Sequence, residues 1–299
     1  MFRLAHLSDP HLAPLPEAKI SELLSKRLTG YLSWKLKRRK IHHMPVLEAM
    51  VEDIQRMAPD ATAVTGDLVN ISLEKEFTAA RDWLKTVGTP DKVAVIPGNH
   101  DAYVKVDWER GIGLWQDYMR GNTAVPGKPE DEPFPFVRTY RNIAVIGTST
   151  AVETWPFQAS GKLGPKQMEL LAKTLSHLRE RGFFRILLIH HPPLPSLTLP
   201  RKELKDAPAL EQILREEGSE LVLHGHNHIH MHSTLPSRHG PVHVFGVPSA
   251  SARKTDRKPA AAWNLYSIQR TSGKWQCSVE VRGFENAESG FKQYQTITL

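Results

Sequence analysis

Short apolar runs alternate with stretches of helical periodicity through about residue 225, and the remainder reads as strands alone. Phe2 to Leu7 has the length and apolar content of a buried strand. Pro45 opens a helix in which Val46, Leu47, Met50, Val51 and Ile54 recur at helical spacing. Strands follow at Asp60 to Thr65, Lys92 to Ile96 and Ile143 to Ile146, with a helix at Leu73 to Val87. Pro165 to Arg181 is a long helix with proline in its first turn, followed by a strand at Arg185 to Ile189, a helix at Ala207 to Glu217 and a strand at Leu221 to Leu223. Then come His230 to Leu235, Val242 to Val247, Trp263 to Gln269, Trp275 to Val281 and Tyr294 to Leu299, all strands. The order predicts an α/β fold with two sheets packed face to face and helices outside. It is read as a single domain over residues 1–299 with one insertion.

Five short strings each follow a predicted strand: Asp9-Pro10-His11, Gly66-Asp67, Gly98-Asn99-His100-Asp101, His190-His191-Pro192-Pro193 and Gly225-His226-Asn227-His228. Side chains at the carboxyl ends of sheet strands converge on one crevice, so pieces far apart in sequence can meet. Carboxylate, amide and imidazole are ligands that suit Mn, Fe or Zn. Two such ions roughly 3.5–4 Å apart form the clamp used for displacement at phosphorus. Singly, each string has a plainer reading as a turn or a polyproline loop. All five in one order point to a metal site.

The five strings resemble the calcineurin-like metallophosphoesterase superfamily, whose pattern is Asp-x-His, Gly-Asp, Gly-Asn-His-Asp/Glu, His, then Gly-His-x-His. The resemblance implies a four-layer α/β/β/α sandwich of two mixed sheets. By position it makes Asp9, His11 and His228 ligands of one metal, Asn99, His190 and His226 ligands of a second, and Asp67 the bridge. His190 is preferred to His191 because the pattern places proline two positions after the ligand. The implied cofactor is two divalent or mixed-valence ions, with a bridging hydroxide as attacking group. The implied catalytic pair is His100, meeting the phosphate without binding metal, and Asp101, orienting it. His42, His43, His224, His230 and His232 fall outside the pattern and are expected to be surface or core histidines. A scaffold that had lost its chemistry would show a broken ligand set, and here the set is whole.

The protein phosphatases of the superfamily continue Gly-Asp with Asp-Arg-Gly, whereas Gly66-Asp67 runs into Leu68-Val69-Asn70-Ile71-Ser72. The arginine that grips a phosphomonoester is therefore missing there. The tract from Gly66 to Leu84 and the string from His190 to Pro195 look more like the bacterial class III cyclic-nucleotide phosphodiesterases and glycerophosphodiesterases. A phosphodiester is the expected substrate.

The segment from Leu12 to Met44 is long for a strand-to-helix connection. Leu24, Leu28, Leu32 and Leu36 are spaced by four, and Lys26, Arg27, Lys35, Lys37, Arg38, Arg39 and Lys40 bring seven positive charges with no acid from Ser25 to Met44. This insertion, at about residues 13–44, reads as a basic amphipathic helix or hairpin. It resembles the intracellular phospholipase C branch of bacterial metallophosphoesterases, which implies a glycerophospholipid head-group substrate. Two readings stand: residues 25–40 meet an anionic membrane surface, or the leucines pack on the domain beneath a solvated cationic face. Gly30 interrupts the helical pattern. On the membrane reading, replacing Lys37 to Lys40 leaves turnover of a small soluble diester nearly unaffected. A soluble cyclic-nucleotide or glycerophosphodiester phosphodiesterase is the alternative. Tyr103, Trp108, Trp115, Phe134, Phe136, Trp155 and Phe157 fall in expected loops, as core packing or an apolar entrance.

A net charge of +7 favours anionic partners in general. No added nucleic-acid module is legible, so nucleic acid is not the expected partner. Cys277 is the only cysteine, which rules out an internal disulfide and suits a reducing compartment. The N-terminus runs into the first motif without a secretory pattern, so the expected location is cytoplasmic, peripheral at the inner membrane.

Overall fold

A computed structural model of the chain describes residues 1–256 and 258–299. Its strands are β1 (Phe2–Leu7), β2 (Ala61–Val64), β3 (Val93–Val95), β4 (Phe136–Tyr140), β5 (Ile143–Gly147), β6 (Phe184–Leu188), β7 (Leu221–His224), β8 (Met231–Ser237), β9 (Gly240–Gly246), β10 (Ala262–Thr271), β11 (Lys274–Asn286) and β12 (Gly290–Thr298). The α-helices are α1 (Ile20–Leu23), α2 (Arg27–Leu36), α3 (Met44–Met57), α4 (Glu74–Val87), α5 (Pro165–Glu180) and α6 (Ala207–Glu217). Two mixed six-stranded sheets result, ordered β12-β11-β10-β1-β2-β3 and β4-β5-β6-β7-β9-β8.

Strand parity shows how the layers stack. In β6, Ile186 and Leu188 join the core that also holds Leu4 and Tyr266 of the first sheet. Leu187, between them, turns to the opposite face and packs with Leu171 of α5 and Leu210 of α6. Both faces are buried, which is why the strand reads as an unbroken apolar run instead of alternating. On the far side of the first sheet, Trp263 Nε1 donates to Asp53 Oδ2 of α3 at 3.1 Å. The order across the molecule is helix, sheet, sheet, helix, the α/β/β/α sandwich that the resemblance implied.

Register then levels the strand ends. In the parallel ladders Leu7 pairs with Val64 and Val64 with Val95. In the second sheet Leu188 pairs with Leu223. The strings at Asp9, Asp67, Asn99, His190 and His226 therefore leave their strands at the same edge of the sandwich.

β4 is a strand that the pattern did not announce. It carries Arg138, a residue that rarely enters a core. The guanidinium is buried because it donates to the carbonyls of Arg120 and Val93, each at 2.7 Å, and of Asp117 at 3.0 Å. Polar satisfaction there replaces the apolar signal.

The insertion folds as α1, α2 and a short turn at Arg38–Lys40. Tyr31, Trp34 and Leu23 pack with Leu15, Ile71, Leu73 and Tyr103. Gly30 is the buried residue of α2, and a Cβ there would stand 2.6 Å from Ile71 Cγ2 and 2.8 Å from the Tyr103 hydroxyl. The glycine permits close docking, which explains its place inside a helix that it otherwise weakens. The leucines do not pack on the domain: Leu24 is 80% exposed, Leu28 47%, Leu32 48% and Leu36 69%. The second reading of the insertion is corrected on that point.

Candidate metal centre and its cleft

The backbone at the sheet edge is bent to aim side chains. Asp9, His11, Asp67, His226 and His228 all have positive φ, between 39° and 68°. Non-glycine residues enter this left-handed region at a cost of order 1 kcal/mol each and hold it where the surroundings enforce it. Here the loops zip together: Asp9 N donates to Gly66 O at 3.0 Å, His11 N to Asp67 O at 3.1 Å, and His226 N to Asp9 Oδ2 at 3.0 Å. Close approach also requires glycine. A Cβ on Gly98 would lie 2.3 Å from Asp67 Oδ1.

Two buried carboxylates organise the loop after β2. Asp101 accepts from the amides of Gly98 and Asp67 at 2.8 Å, Leu68 at 2.9 Å and Val69 at 3.0 Å. Glu76, in the first turn of α4, accepts from Asn70 at 2.6 Å, Leu73 at 3.0 Å and Ile71 at 3.1 Å. Burial and the Asp67 charge push Asp101 up to about 7, while its backbone donors act the other way. The expectation that Asp101 orients His100 is therefore corrected: both its oxygens are engaged by the loop. His100 Nδ1 instead lies 2.5 Å from Asn70 O, leaving Nε2 as the nitrogen free to meet a substrate.

Two clusters of potential ligand atoms form, each within 4.8 Å: Asp9, His11, Asp67 and His228 in one, Asp67, His190 and His226 in the other. Asp67 is common to both, and Asn99 Oδ1 joins the second at 3.2 Å from His190 Nε2. Asp67 Oδ2 lies 3.4 Å from His190 Nε2 and 3.7 Å from His11 Nε2. The outer nitrogens face carbonyls, His190 Nδ1 to Thr65 O at 2.6 Å and His11 Nδ1 to Val69 O at 3.1 Å. Those contacts fix the tautomer that leaves each Nε2 lone pair turned inward, the usual arrangement of a metal-bound histidine.

The clusters fit a pair of cations on independent grounds. His11 Nε2 and His228 Nε2 stand 3.3 Å apart. With the His11 proton on Nδ1, a shared cation satisfies both lone pairs. His226 Nε2 is buried without a hydrogen-bond partner, a costly state that coordination removes, and Asp9 Oδ1 faces His228 Nε2 at 3.2 Å, two donor atoms that one cation can share. His190, buried and therefore disfavoured as a cation, is nevertheless raised to about 9 by Asp67, Asp9 and the Thr65 carbonyl. Asp67 and Asp9 thus favour positive charge at this position. His191 has no free nitrogen, since Thr150 Oγ1 at 2.7 Å and Ala159 O at 3.2 Å occupy both.

Several residues at this site were not marked by the sequence. His42, outside the pattern and expected to be a surface or core histidine, is 3% exposed and 4.7 Å ring to ring from His11, and its imidazole falls in a third cluster with His11 and His228. Arg38 reaches in from the insertion. Its Nη2 is 2.8 Å from His11 Nδ1 and 3.2 Å from His11 Nε2, distances that place it over the ring face, and Nη1 is 3.3 Å from His100 Nδ1. Nothing distinguished Arg38 within a run of basic residues. Arg38, unlike Lys37, Arg39 and Lys40, thus borders the motif residues, a placement that the expectation of nearly unaffected small-diester turnover did not include. The cleft, about 290 Å³, is bordered by Arg38, Asp67, His100, Lys202 and His228. A larger cavity of about 690 Å³ beside Trp108 and Phe136 contains none of the motif residues. Of the loop aromatics, Trp115, Phe134 and Phe136 are buried, while Trp155 and Phe157 are exposed. Tyr103 stacks on His100 with centroids 5.5 Å apart.

A family model of calcineurin-like phosphoesterases matches residues 2–230. No curated protein matches the chain in sequence. Among solved structures, a dimetal phosphatase from Danio rerio is similar at TM-score 0.63 and 12% identity, over 99% of this chain and 98% of that one. Purple acid phosphatase PPD1 from yellow lupin (Lupinus luteus) seeds is similar at TM-score 0.58 and 14% identity, over 99% of this chain and 53% of that one. A sulfate thiohydrolase, SoxB, from Thermus thermophilus is similar at TM-score 0.54 and 15% identity, over 97% of this chain and 58% of that one. At such identities the likeness concerns the fold.

Proposed function

The chain belongs to the calcineurin-like phosphoesterase family, a family of metal-dependent hydrolases, and from that premise we propose a dinuclear phosphodiesterase that removes the head group of a glycerophospholipid at an anionic membrane surface. Asp9, His11 and His228 would hold one ion, Asn99, His190 and His226 the other, with Asp67 between them. Such a pair, when bound, supplies Lewis acidity and a nucleophile at neutral pH.

The protein's own groups divide the remaining tasks. Arg38 offers its guanidinium to the phosphoryl oxygens, standing in for the arginine absent after Gly66-Asp67. His100 presents Nε2 to the leaving oxygen. Burial and Arg38 hold its imidazole down to about 3 in the free site, and an arriving phosphate, being anionic, acts in the opposite direction and favours the proton it would donate. Asn70 O fixes the ring throughout.

The observation that supports the lipid reading is the exposed leucine row of α2, which lies on the same insertion that delivers Arg38 to the cleft. Lys26 ties that insertion to the neighbouring loop through Thr154 Oγ1 at 2.8 Å, and this loop exposes Trp155 and Phe157. Apolar side chains beside unpaired basic ones are the composition of a membrane-surface element. No helix is long and apolar enough to cross a membrane. We place the protein in the cytoplasm, peripheral to the inner membrane.

The test is vesicle cosedimentation and turnover with manganese-loaded protein on phosphatidylglycerol vesicles and on a soluble aryl diester. Changing Leu28, Leu32 and Leu36 to Gln should lower vesicle binding and the ratio of lipid to soluble turnover. Wild-type protein that ignores anionic vesicles at low salt while cleaving soluble diesters would give first place to a cyclic-nucleotide or small-diester phosphodiesterase.

A further inference from the structure

Three cations beside the cleft have no assignment in the motifs. Arg201 and Lys202 lie on the short turn Pro200–Lys202 and border the same cavity as Asp67, His100 and His228. The Lys258 ammonium donates to the carbonyl of Asn227, between the two histidines of the last motif. Among the described residues, neither the Arg201 nor the Lys202 side chain has a hydrogen-bond or ion-pair partner. Lys202 is half-buried. Burial first, then the neighbouring charges of Lys258 and Arg201, pull its ammonium below the ordinary value, with Asp67 and Asp9 acting against them.

A desolvated cation facing other cations carries a cost with no return inside the fold. With two ions bound as proposed, Asp9 and Asp67 would be engaged by them and would not remove it. A simple phosphodiester brings one negative charge, which the ion pair and Arg38 already balance. We infer that Arg201, Lys202 and Lys258 form a second anion subsite, and that the substrate carries a further phosphate beyond the scissile diester. The inference rests on the phosphodiesterase reading of this cleft and narrows its substrate to a diester whose head group is itself phosphorylated.

The experiment compares glycerophosphoinositol with glycerophosphoinositol 4-phosphate, which share the scissile diester and differ by one phosphate. A parallel arm uses phosphatidylinositol and its 4-phosphate in neutral detergent micelles. Calorimetry measures binding of inositol 1-phosphate and inositol 1,4-bisphosphate to the same metal-loaded protein. Charge-assisted contacts to the extra phosphate should favour the phosphorylated member roughly tenfold or more in kcat/KM and in affinity. Lys202→Gln and Arg201→Gln should move each ratio toward one while elemental analysis finds both metals retained. Equal values for the wild type, a ratio that survives both substitutions, or a preference confined to micelles would overturn the subsite. Absence of turnover of either soluble diester by metal-loaded protein would instead count against the phosphodiesterase reading, and calorimetry would still decide the subsite.

Discussion

The sheet edge and the insertion solve opposite problems. At the sheet edge, positions of buried strand ends are fixed by ladders on both sides, and the loops that follow are held by two buried carboxylates collecting backbone amides. That rigidity lets Asp9, His11, Asp67, His226 and His228 keep strained backbone conformations. The insertion is held mainly through side chains: the close approach at Gly30, the packing of Leu23, Tyr31 and Trp34, the bonds of Arg27 to the carbonyls of Ile71 at 3.1 Å and Ser72 at 2.5 Å, and that of Lys26 to Thr154 Oγ1 at 2.8 Å. Its leucines face outward. The contrast teaches that strand ladders and loop amides fix the proposed ligands, while the insertion is attached to that frame through its side chains. The two meet at Arg38.

The comparison is broken most severely at the bridge. Asp67→Ala should lose both metals and lower turnover beyond about 1,000-fold, on the scale of the several kcal/mol that metal ions supply. Elemental analysis and kcat together check this; a variant that keeps both ions and its rate would remove Asp67 from the centre. Next is His100→Ala, which should keep both metals and lose about 10²–10⁴-fold in kcat on a substrate with a poor leaving group. The loss should shrink for an activated aryl diester, since less protonation is needed, and equal losses on both would argue against proton transfer.

Arg38→Gln tests the meeting point of the two regions. It should lower kcat/KM for a small soluble diester about ten- to a hundredfold, the range of a lost charge-assisted hydrogen bond. Metal content should stay unchanged, and Arg38→Lys should restore part of the rate. A small-diester rate unaffected by Arg38→Gln would confine the insertion to the surface. The mildest expected effect is that of Gly30→Ala. In an exposed helix this change gains about 1 kcal/mol. Here it meets Ile71 and Tyr103, so overpacking of roughly 1–3 kcal/mol should prevail. Hydrogen exchange should then show α2 loosened while the sheets keep their protection; an α2 as protected as in the wild type would mean that Ile71 and Tyr103 yield to the added methyl and that the glycine is not required there.

Nearly every strand and helix was legible because burial writes its period into the sequence. The seven proposed ligands were legible through the resemblance, whose five-string pattern picks them out from neighbours of like chemistry such as His191 and His224. Strand β4 was not, since the Arg138 guanidinium is satisfied by carbonyls from segments distant in sequence. The partner of His100 was not either. Adjacency suggested Asp101, whereas the loop consumed that carboxylate and turned Asn70 O to the imidazole. Sequence by itself determined the order of strands and helices and the basic, leucine-striped character of the insertion, because periodicity and residue chemistry are local properties, and it supplied the motifs from which the resemblance proposes a donor set. Only the tertiary structure decided that the leucines stay outside, that His42 stands beside His11, and that one arginine among seven basic residues enters the cleft. Those outcomes depend on which face of α2 fits against Ile71 and Tyr103, a matter of shape between segments far apart in the chain.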